Sequence, residues 1–459
     1  MKGIQVYFFA LLLSASSFSN QCSDLLQTIA FDVDNVAPRL KFAEWVSEMG
    51  FPQRAELIRL QIELGRHRRF SAEHLSASLK AERIISDHGI QWIPERFREI
   101  AQFSYVNGFV ERLAIGASDF LVHGVELTQK FPIKAVTFTS ISSRTLGKIL
   151  KKGLLSKVRF LGLADGFLDV PILDRLKSEY LPELRALDVA SNYLGDLGLE
   201  RVMELSVLGN LEELDLSFND IGDEGLEILC RSPRLKRLQR LNLSQNQITD
   251  DGLRVLARKC VLKNLRALDI GGNQITANGL IALVNSRNLS LRELSISGSR
   301  LTDFEIEAIA RGAQLKNLES LNLSVNDITH KGLEEFLQQS IALKSLRILN
   351  LGSNPIGERG GQLFVDSQLI SRLLSLDLSR TDLGDRGLMV LAGLSRKSSL
   401  THLNLAFNEI GDKGIRALSR CSSFPQLLSL DLNHNDIGEA DFMVLTSSAH
   451  FKKVISLRR

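Results

Sequence analysis

Cysteine is scarce in this chain, with four in 459 residues, and none sits in a C-x-x-C pair, so the ligand spacing of a zinc site is missing. No proline-rich or Gly/Ser-rich tract sets a second functional module apart. Neither sign of charge dominates: 56 Lys and Arg stand against 53 Asp and Glu, a formal net charge of +3, which excludes bulk electrostatic capture of nucleic acid. Catalytic signatures are absent as well. There is no P-loop, no G-x-S-x-G, no H-E-x-x-H and no Rossmann glycine fingerprint after a strand. Asp431, Asn433 and Asn435 open like a calcium loop, but Asp436 stands where that loop needs glycine and Phe442 where it needs glutamate. The chain therefore reads as a non-enzyme with no cofactor and no metal. The one long apolar run, Ile4 to Leu13, is too short for a stable membrane span. With Lys2 before it and Ser17-Phe18-Ser19 after it, the segment fits an export signal cleaved after residue 19. Gln21 before Cys22 does not suit a lipoprotein signal. Export to a periplasmic or external compartment is the expectation, with a cytoplasmic chain as the alternative.

What the sequence has in abundance is repetition. Ten times between Leu184 and Phe442 it writes L-x-x-L-x-L-x-x-N, as in Leu211, Leu214, Leu216 and Asn219. The last column runs Asn192, Asn219, Asn246, Asn273, Ser299, Asn326, Asn354, Thr381, Asn408 and Asn435, in steps of 26 to 28 residues. A constant period of that length marks a stacked solenoid. Leu214 and Leu216 alternate with Asp215 and Ser217, the period of a strand with one face in a core. A second phrase, I-G/T-D-x-G-L, follows in nearly every unit and opens a helix, with Asp223, Asp250 and Asp385 placed to cap it. The Asn belongs in the turn leaving the strand, where its amide can both donate to and accept from backbone groups. Ser299 and Thr381 can do only part of that. Strands sit about 4.8 Å apart while packed helices need about 8 to 10 Å, so each repeat turns by roughly 20 to 25°. The expected fold class is α/β: a curved horseshoe with a parallel sheet on its concave face and helices on its convex face.

These repeats resemble the ribonuclease-inhibitor type of leucine-rich repeat. Upstream, Ala37, Pro38, Arg39, Leu40, Ala43, Glu44, Trp45, Gly50, Pro52, Arg54, Ala55, Glu56, Ile58, Arg59, Leu60 and Gln61 resemble a short repeat-companion domain. Trp92 and the run from Gly108 to Arg112 are similar to the middle segment of the same bacterial families. The resemblance implies protein–protein interaction and no enzymatic activity.

Read on their own residues, positions 20–66 form a small helical hairpin. Phe42, Trp45 and Met49 share one helical face, Gly50 ends the first helix, and Pro52 opens the second, whose apolar side is Leu57, Ile58 and Ile62. Arg54, Arg59, Arg66, Arg68 and Arg69 make that helix basic, which reads as a solvated face in preference to a site for an anionic partner. Residues 67–106 read as a helical connector containing a helix from Ser71 to Ser86. Residues 107–183 read as about three degenerate repeats, with strands around Val136 to Ile141 and Val158 to Leu163. Residues 184–459 are the regular repeats, closing on an edge strand near Phe451, Val454 and Leu457. Cys230, Cys260 and Cys421 read as buried free thiols, with a Cys230–Cys260 disulfide between neighbouring repeats as the alternative.

The expected partner surface is the concave face. Its central row, Asp188, Asp215, Asn242, Asp269, Ser295, Asn322, Asn350, Asp377, Asn404 and Asp431, could receive a basic partner, but it is also the generic wording of such repeats. More telling are positions that the scaffold leaves open. Phe218, Arg380, Phe407 and His434 precede the Asn column, and Arg240 and His402 precede the second strand leucine. Aromatic and arginine side chains carry most interface energy, so these six form the candidate contact set. The expected function is a monomeric scaffold that binds a protein partner. An adaptor similar to ubiquitin-ligase substrate receptors and a regulator of a small GTPase are the alternatives.

Overall fold

The computed structural model describes residues 24–26, 28–29, 35–66, 71–166, 168, 170–339, 343–454 and 456–458. The export-signal expectation for residues 1–19 lies outside them. The chain divides into two compact units, residues 1–192 with 205–211, and residues 193–204 with 212–459.

The first unit begins with α1 (Val36–Glu48), α2 (Pro52–Arg66), α3 (Ala72–His88) and the short α4 (Glu95–Arg98). The strands β1 (Ala101–Val106) and β2 (Phe109–Gly116) follow. Then come α5 (Ala117–Lys130), β3 (Ala135–Ser140), α6 (Ser143–Lys151), β4 (Phe160–Gly162), α7 (Val170–Leu173) and β5 (Ala186–Asp188). Strands β2 to β5 pair in parallel, and β3 and β4 lie over the segments expected to hold strands around Val136 to Ile141 and Val158 to Leu163. The helical hairpin also forms as expected. Asn35 caps α1, Gly50 turns the chain at φ 86°, and Pro52 takes the first position of α2. Its core of Phe42, Trp45, Val46, Ile58 and Ile62 is completed by Phe109 from β2, whose ring lies 5.2 Å from that of Phe42.

Two expectations are corrected here. Residues 101–106 are a strand and not part of a helical connector. They pair antiparallel with β2 through a two-residue turn, in which Asn107 and Gly108 take φ 51° and 80°. Arg54 belongs to no solvated face. It is buried, with its guanidinium 4.6 Å from the Trp92 ring centroid, 4.9 Å from Tyr105 and 5.7 Å from Phe109. Three ring faces replace much of the hydration that a buried cation loses, although burial still lowers its pKa. Arg39 is buried nearby and pairs with Glu111 at 2.8 Å, while Lys134 reaches the other Glu111 oxygen at 3.2 Å. Gln61 donates to Tyr105 O, and a Cβ on Gly108 would collide with Ile58. Arg39, Arg54 and Gln61 of the upstream resemblance thus meet Trp92, Gly108 and Glu111 in one cluster that locks the hairpin to β1 and β2.

The second unit repeats one module. Its strands are β6 (Glu213–Asp215), β7 (Arg240–Asn242), β8 (Ala267–Asp269), β9 (Glu293–Ser295), β10 (Ser320–Asn322), β11 (Ile348–Asn350), β12 (Ser375–Asp377), β13 (His402–Asn404), β14 (Ser429–Asp431) and β15 (Ser456–Arg458). All pair in parallel and in one register, Leu241 against Leu268 and Leu403 against Leu430; the last, β15, contains Leu457, whereas Phe451 sits in a short turn before it. A helix of eight to ten residues precedes or follows each strand, from Gly195–Met203 to Glu439–Ser447. The motif leucines are buried, each contributing about 2 kcal/mol of apolar burial.

Polar side chains stitch neighbouring modules together. Asn246 Nδ2 donates to Leu216 O and Leu243 O, both at 3.0 Å, and its Oδ1 accepts from Asn219 N and Ile221 N. The Ser299 hydroxyl accepts from Gly272 N, and the Thr381 hydroxyl donates to Leu378 O, so each shorter side chain makes only part of the bonds that the Asn makes. The aspartates of the second phrase behave differently from expectation. Asp223 does not cap its own helix; both of its oxygens take the backbone N and Oγ1 of Thr249 in the next repeat, at 2.8 and 2.6 Å. Asp250 does the same for Thr276, Asp303 for Thr329, and Asp385 accepts from Gly411 N and Gly414 N. At the first helical position the carboxylate lies beside the unpaired N–H groups of the neighbouring helix, which are the nearer donors. Where the aspartate is replaced by Ala277, the following helix caps itself through Thr302 and Glu305. Cys230 and Cys260 are joined as a disulfide across two neighbouring repeats, which corrects the free-thiol expectation; Cys421 is a buried free thiol. Cys230 lies one residue inside the end of its helix and Cys260 one residue past the end of the next, an offset that a period count does not resolve.

Candidate partner-binding surface

The sheet face of the second unit is largely self-satisfied. Asp215, Asn242, Asp269, Asn322, Asn350, Asp377, Asn404 and Asp431 each accept from the backbone N–H two residues on. Asn242 also donates to Asp215 and Asn404 to Asp377, at 2.9 and 3.0 Å. Burial raises the Asp269 carboxyl above its ordinary range. This row holds the exit turns in shape.

Arg240 is engaged too. Its guanidinium reaches over Ala267 on the intervening strand and makes two hydrogen bonds to Glu293, at 3.0 and 2.8 Å, with Glu213 at 3.9 Å. The paired carboxylate raises its pKa. His402 is half-buried on β13, with Nδ1 3.1 Å from Thr401 Oγ1, and burial pulls its pKa down to about 4.

The exit turns are different. The residue before each Asn-column position adopts a left-handed backbone: Phe218 at φ 55°, Gln245 at 55°, Val325 at 57°, Ser353 at 57°, Arg380 at 54°, Phe407 at 58° and His434 at 56°. Gly272 and Gly298 occupy the same place in two repeats, at φ 65° and 67°. Glycine meets the geometry at no steric cost, whereas a side chain there costs on the order of 1 kcal/mol or more. Bulky residues at these positions are therefore not explained by the scaffold.

Three of them come together. The Arg380 guanidinium lies 4.0 Å from the Phe407 ring centroid, and on its other neighbour Phe407 stacks on His434 with centroids 4.0 Å apart and planes 15° apart. Three planar groups on repeats eight, nine and ten form one column, with Phe407 exposed to 37%. Phe218 is exposed on repeat two, and Arg240 and His402 lie on strands, so these three do not join the column. Beside it runs a feature that the sequence reading passed over. Asp382, Glu409 and Asp436, each two residues after a member of the column, are exposed, and among the described residues no ion pair or side-chain hydrogen bond engages them. Their recurrence at one repeat position was the signal available for finding them.

Comparison with known proteins agrees with the geometry. The family described as Leucine Rich repeat matches residues 210–230, 237–257, 261–284, 314–337, 342–365, 372–392, 396–419 and 425–440. Residues 210–440 thus carry leucine-rich repeats. No curated protein matches the chain by sequence. Among solved structures, an internalin (InlF) from Listeria monocytogenes is 19% identical, with 69% of this chain and 88% of that one covered and a TM-score of 0.39. The Rad7 and Elc1 complex in yeast is 17% identical, with 91% and 94% covered and a TM-score of 0.46. A TLR13–ssRNA13 complex is 20% identical, with 71% of this chain and 43% of that chain covered and a TM-score of 0.41. None of the three brings an activity or a partner to this chain. No helix among the described residues is long and apolar enough to cross a membrane.

Proposed function

We propose that this leucine-rich-repeat protein is a non-catalytic scaffold that binds a protein partner along the exit turns and sheet face of repeats eight to ten. The observation that carries this reading is the Arg380–Phe407–His434 column, held in a backbone conformation that glycine would satisfy more cheaply. The surface is fixed by the repeats beneath it, so binding costs little ordering entropy. Affinity capture from the native host with the wild-type chain and with Phe407→Ala tests it: loss of the captured protein in the variant is expected. Equal capture by both would remove the column from the site.

Two finer readings accompany this. Full helices behind the strands support the ribonuclease-inhibitor type of repeat, and the cluster of buried Arg39, Arg54 and Glu111 with half-buried Gln61 and Trp92 supports a companion domain of the kind found in bacterial families. The Cys230–Cys260 disulfide, together with the apolar segment after Lys2, supports export from the reducing cytoplasm. Amino-terminal sequencing of the mature protein should begin after residue 19; an intact Met1 in the functional pool would oppose export.

A further inference from the structure

We propose that the Arg380–Phe407–His434 column and the row of Asp382, Glu409 and Asp436 form one docking strip for a basic, arginine-bearing segment of the partner. This deepens the functional reading above and rests on it. The two rows lie on the same three exit turns, separated by a single residue, buried Thr381, buried Asn408 or half-buried Asn435. Successive turns advance with the strands by about 4.8 Å, so three carboxylates and three planar groups run side by side over three repeats.

Charge decides the chemistry of the occupant. The column contributes one fixed cation, Arg380, which lies flat on Phe407, while the adjoining row contributes three carboxylates without a cationic partner among the described residues. The other nearby aspartates are committed: Asp385 and Asp412 hold the next helix, and Asp377 holds its turn. The strip is therefore an aromatic surface with net negative charge. Ring faces alone would also suit stacked nucleobases, but phosphates would then stand against the acidic row. A guanidinium fits both rows at once, since it stacks on aromatic groups through its plane and pairs with carboxylates through its edge. An ammonium satisfies only the second, so arginine should be preferred to lysine.

The test uses the full-length protein and labelled oligo-arginine, oligo-lysine and oligo-glutamate peptides, with a single-stranded oligoribonucleotide of matching length, followed by fluorescence anisotropy at low and physiological salt. Oligo-arginine should bind more tightly than oligo-lysine, and the other two probes should not bind. Phe407→Ala should weaken oligo-arginine binding roughly tenfold. Asp382→Asn with Glu409→Gln and Asp436→Asn should weaken it as much and flatten its salt dependence, whereas Phe218→Ala on repeat two should leave it unchanged. The carboxamide substitutions are exposed and of equal size, so a folded variant is expected, and circular dichroism checks it. Oligo-arginine affinity that ignores both sets of substitutions, an absence of binding, or preference for the oligoribonucleotide would overturn the proposal. If host-protein capture still depends on Phe407 in that case, the scaffold reading stands and only the basic-segment assignment falls.

Discussion

Asn246 shows what one side chain does in such an array, since its amide answers two carbonyls and two N–H groups that the short strands leave unpaired. Each group left unsatisfied in that buried turn would cost about 1 to 3 kcal/mol, so its place in the motif follows from hydrogen-bond accounting. This was legible in the sequence because Asn recurs at a fixed period. The state of His402 was not legible, because nothing in the local pattern says how deeply a strand residue between Ser375 and Ser429 is covered. Its burial makes a pH prediction. The folded pKa, about 4, lies below the ordinary 6.5, so the unfolded chain binds the proton first. Its contribution to stability is complete above the ordinary value and is lost progressively as pH falls from there toward 4, by up to about 3 kcal/mol. Urea unfolding across that range should show a steeper acid-side loss for wild type than for His402→Gln. Parallel pH profiles would mean that His402 is as solvated folded as unfolded.

At the scale of elements, the strand–helix module holds because helix starts such as those at Thr249, Thr276, Thr329 and Gly411 are anchored by the repeat before them. Asp223 binds Thr249, and Gly252 lets the two helices close on that carboxylate, since a Cβ there would collide with Asp223 Oδ1. Gly252→Ala should therefore destabilise by about 2 kcal/mol through overpacking, and Asp223→Ala by about 1 to 2 kcal/mol through the lost hydrogen bonds. Removing the aspartate frees the space that the new methyl needs, so the double variant should lose about 1 kcal/mol less than the two single losses together. Strict additivity in denaturant unfolding would show that the glycine is present for another reason. The sequence displayed this I-G/T-D-x-G-L phrase plainly, yet capping logic assigned the aspartate to its own helix, because the nearest donors in space belong to a residue 26 positions away. The β1–β2 hairpin was legible in principle, with Asn107-Gly108 between the alternating Phe103 and Tyr105 and the strand beginning at Phe109. The neighbouring helical pattern masked it. Arg54 was misplaced for a related reason: its cage is built from Trp92, Tyr105 and Phe109, which only the tertiary fold gathers.

For the molecule as a whole, a repeat array draws its stability from nearest-neighbour interfaces, so a covalent tie between two modules matters beyond its own loop. The leucine period foretold the array and the place of the Arg380–Phe407–His434 column, but it could not show which thiols meet, since pairing depends on the depth at which each helix ends. Cys230 and Cys260 are 30 residues apart and join two neighbouring repeats. Closing a loop of that length in the unfolded chain is worth about 3 to 4 kcal/mol on the chain-entropy account. A non-reducing proteolytic digest should yield the two cysteine peptides as one linked species. Reductant should then lower the denaturant midpoint of the wild type, and have no effect on the Cys230→Ala, Cys260→Ala double variant, whose midpoint should match that of the reduced wild type. Hydrogen exchange locates the effect: amides in the helices Asp223–Arg231 and Asp250–Lys259 should lose protection first, ahead of Asp412–Ser419, whose neighbouring Cys421 has no disulfide partner. Separate cysteine peptides and a reductant-insensitive midpoint would return both sulfurs to the free-thiol state, and with it the case for an oxidising compartment would lose its structural support.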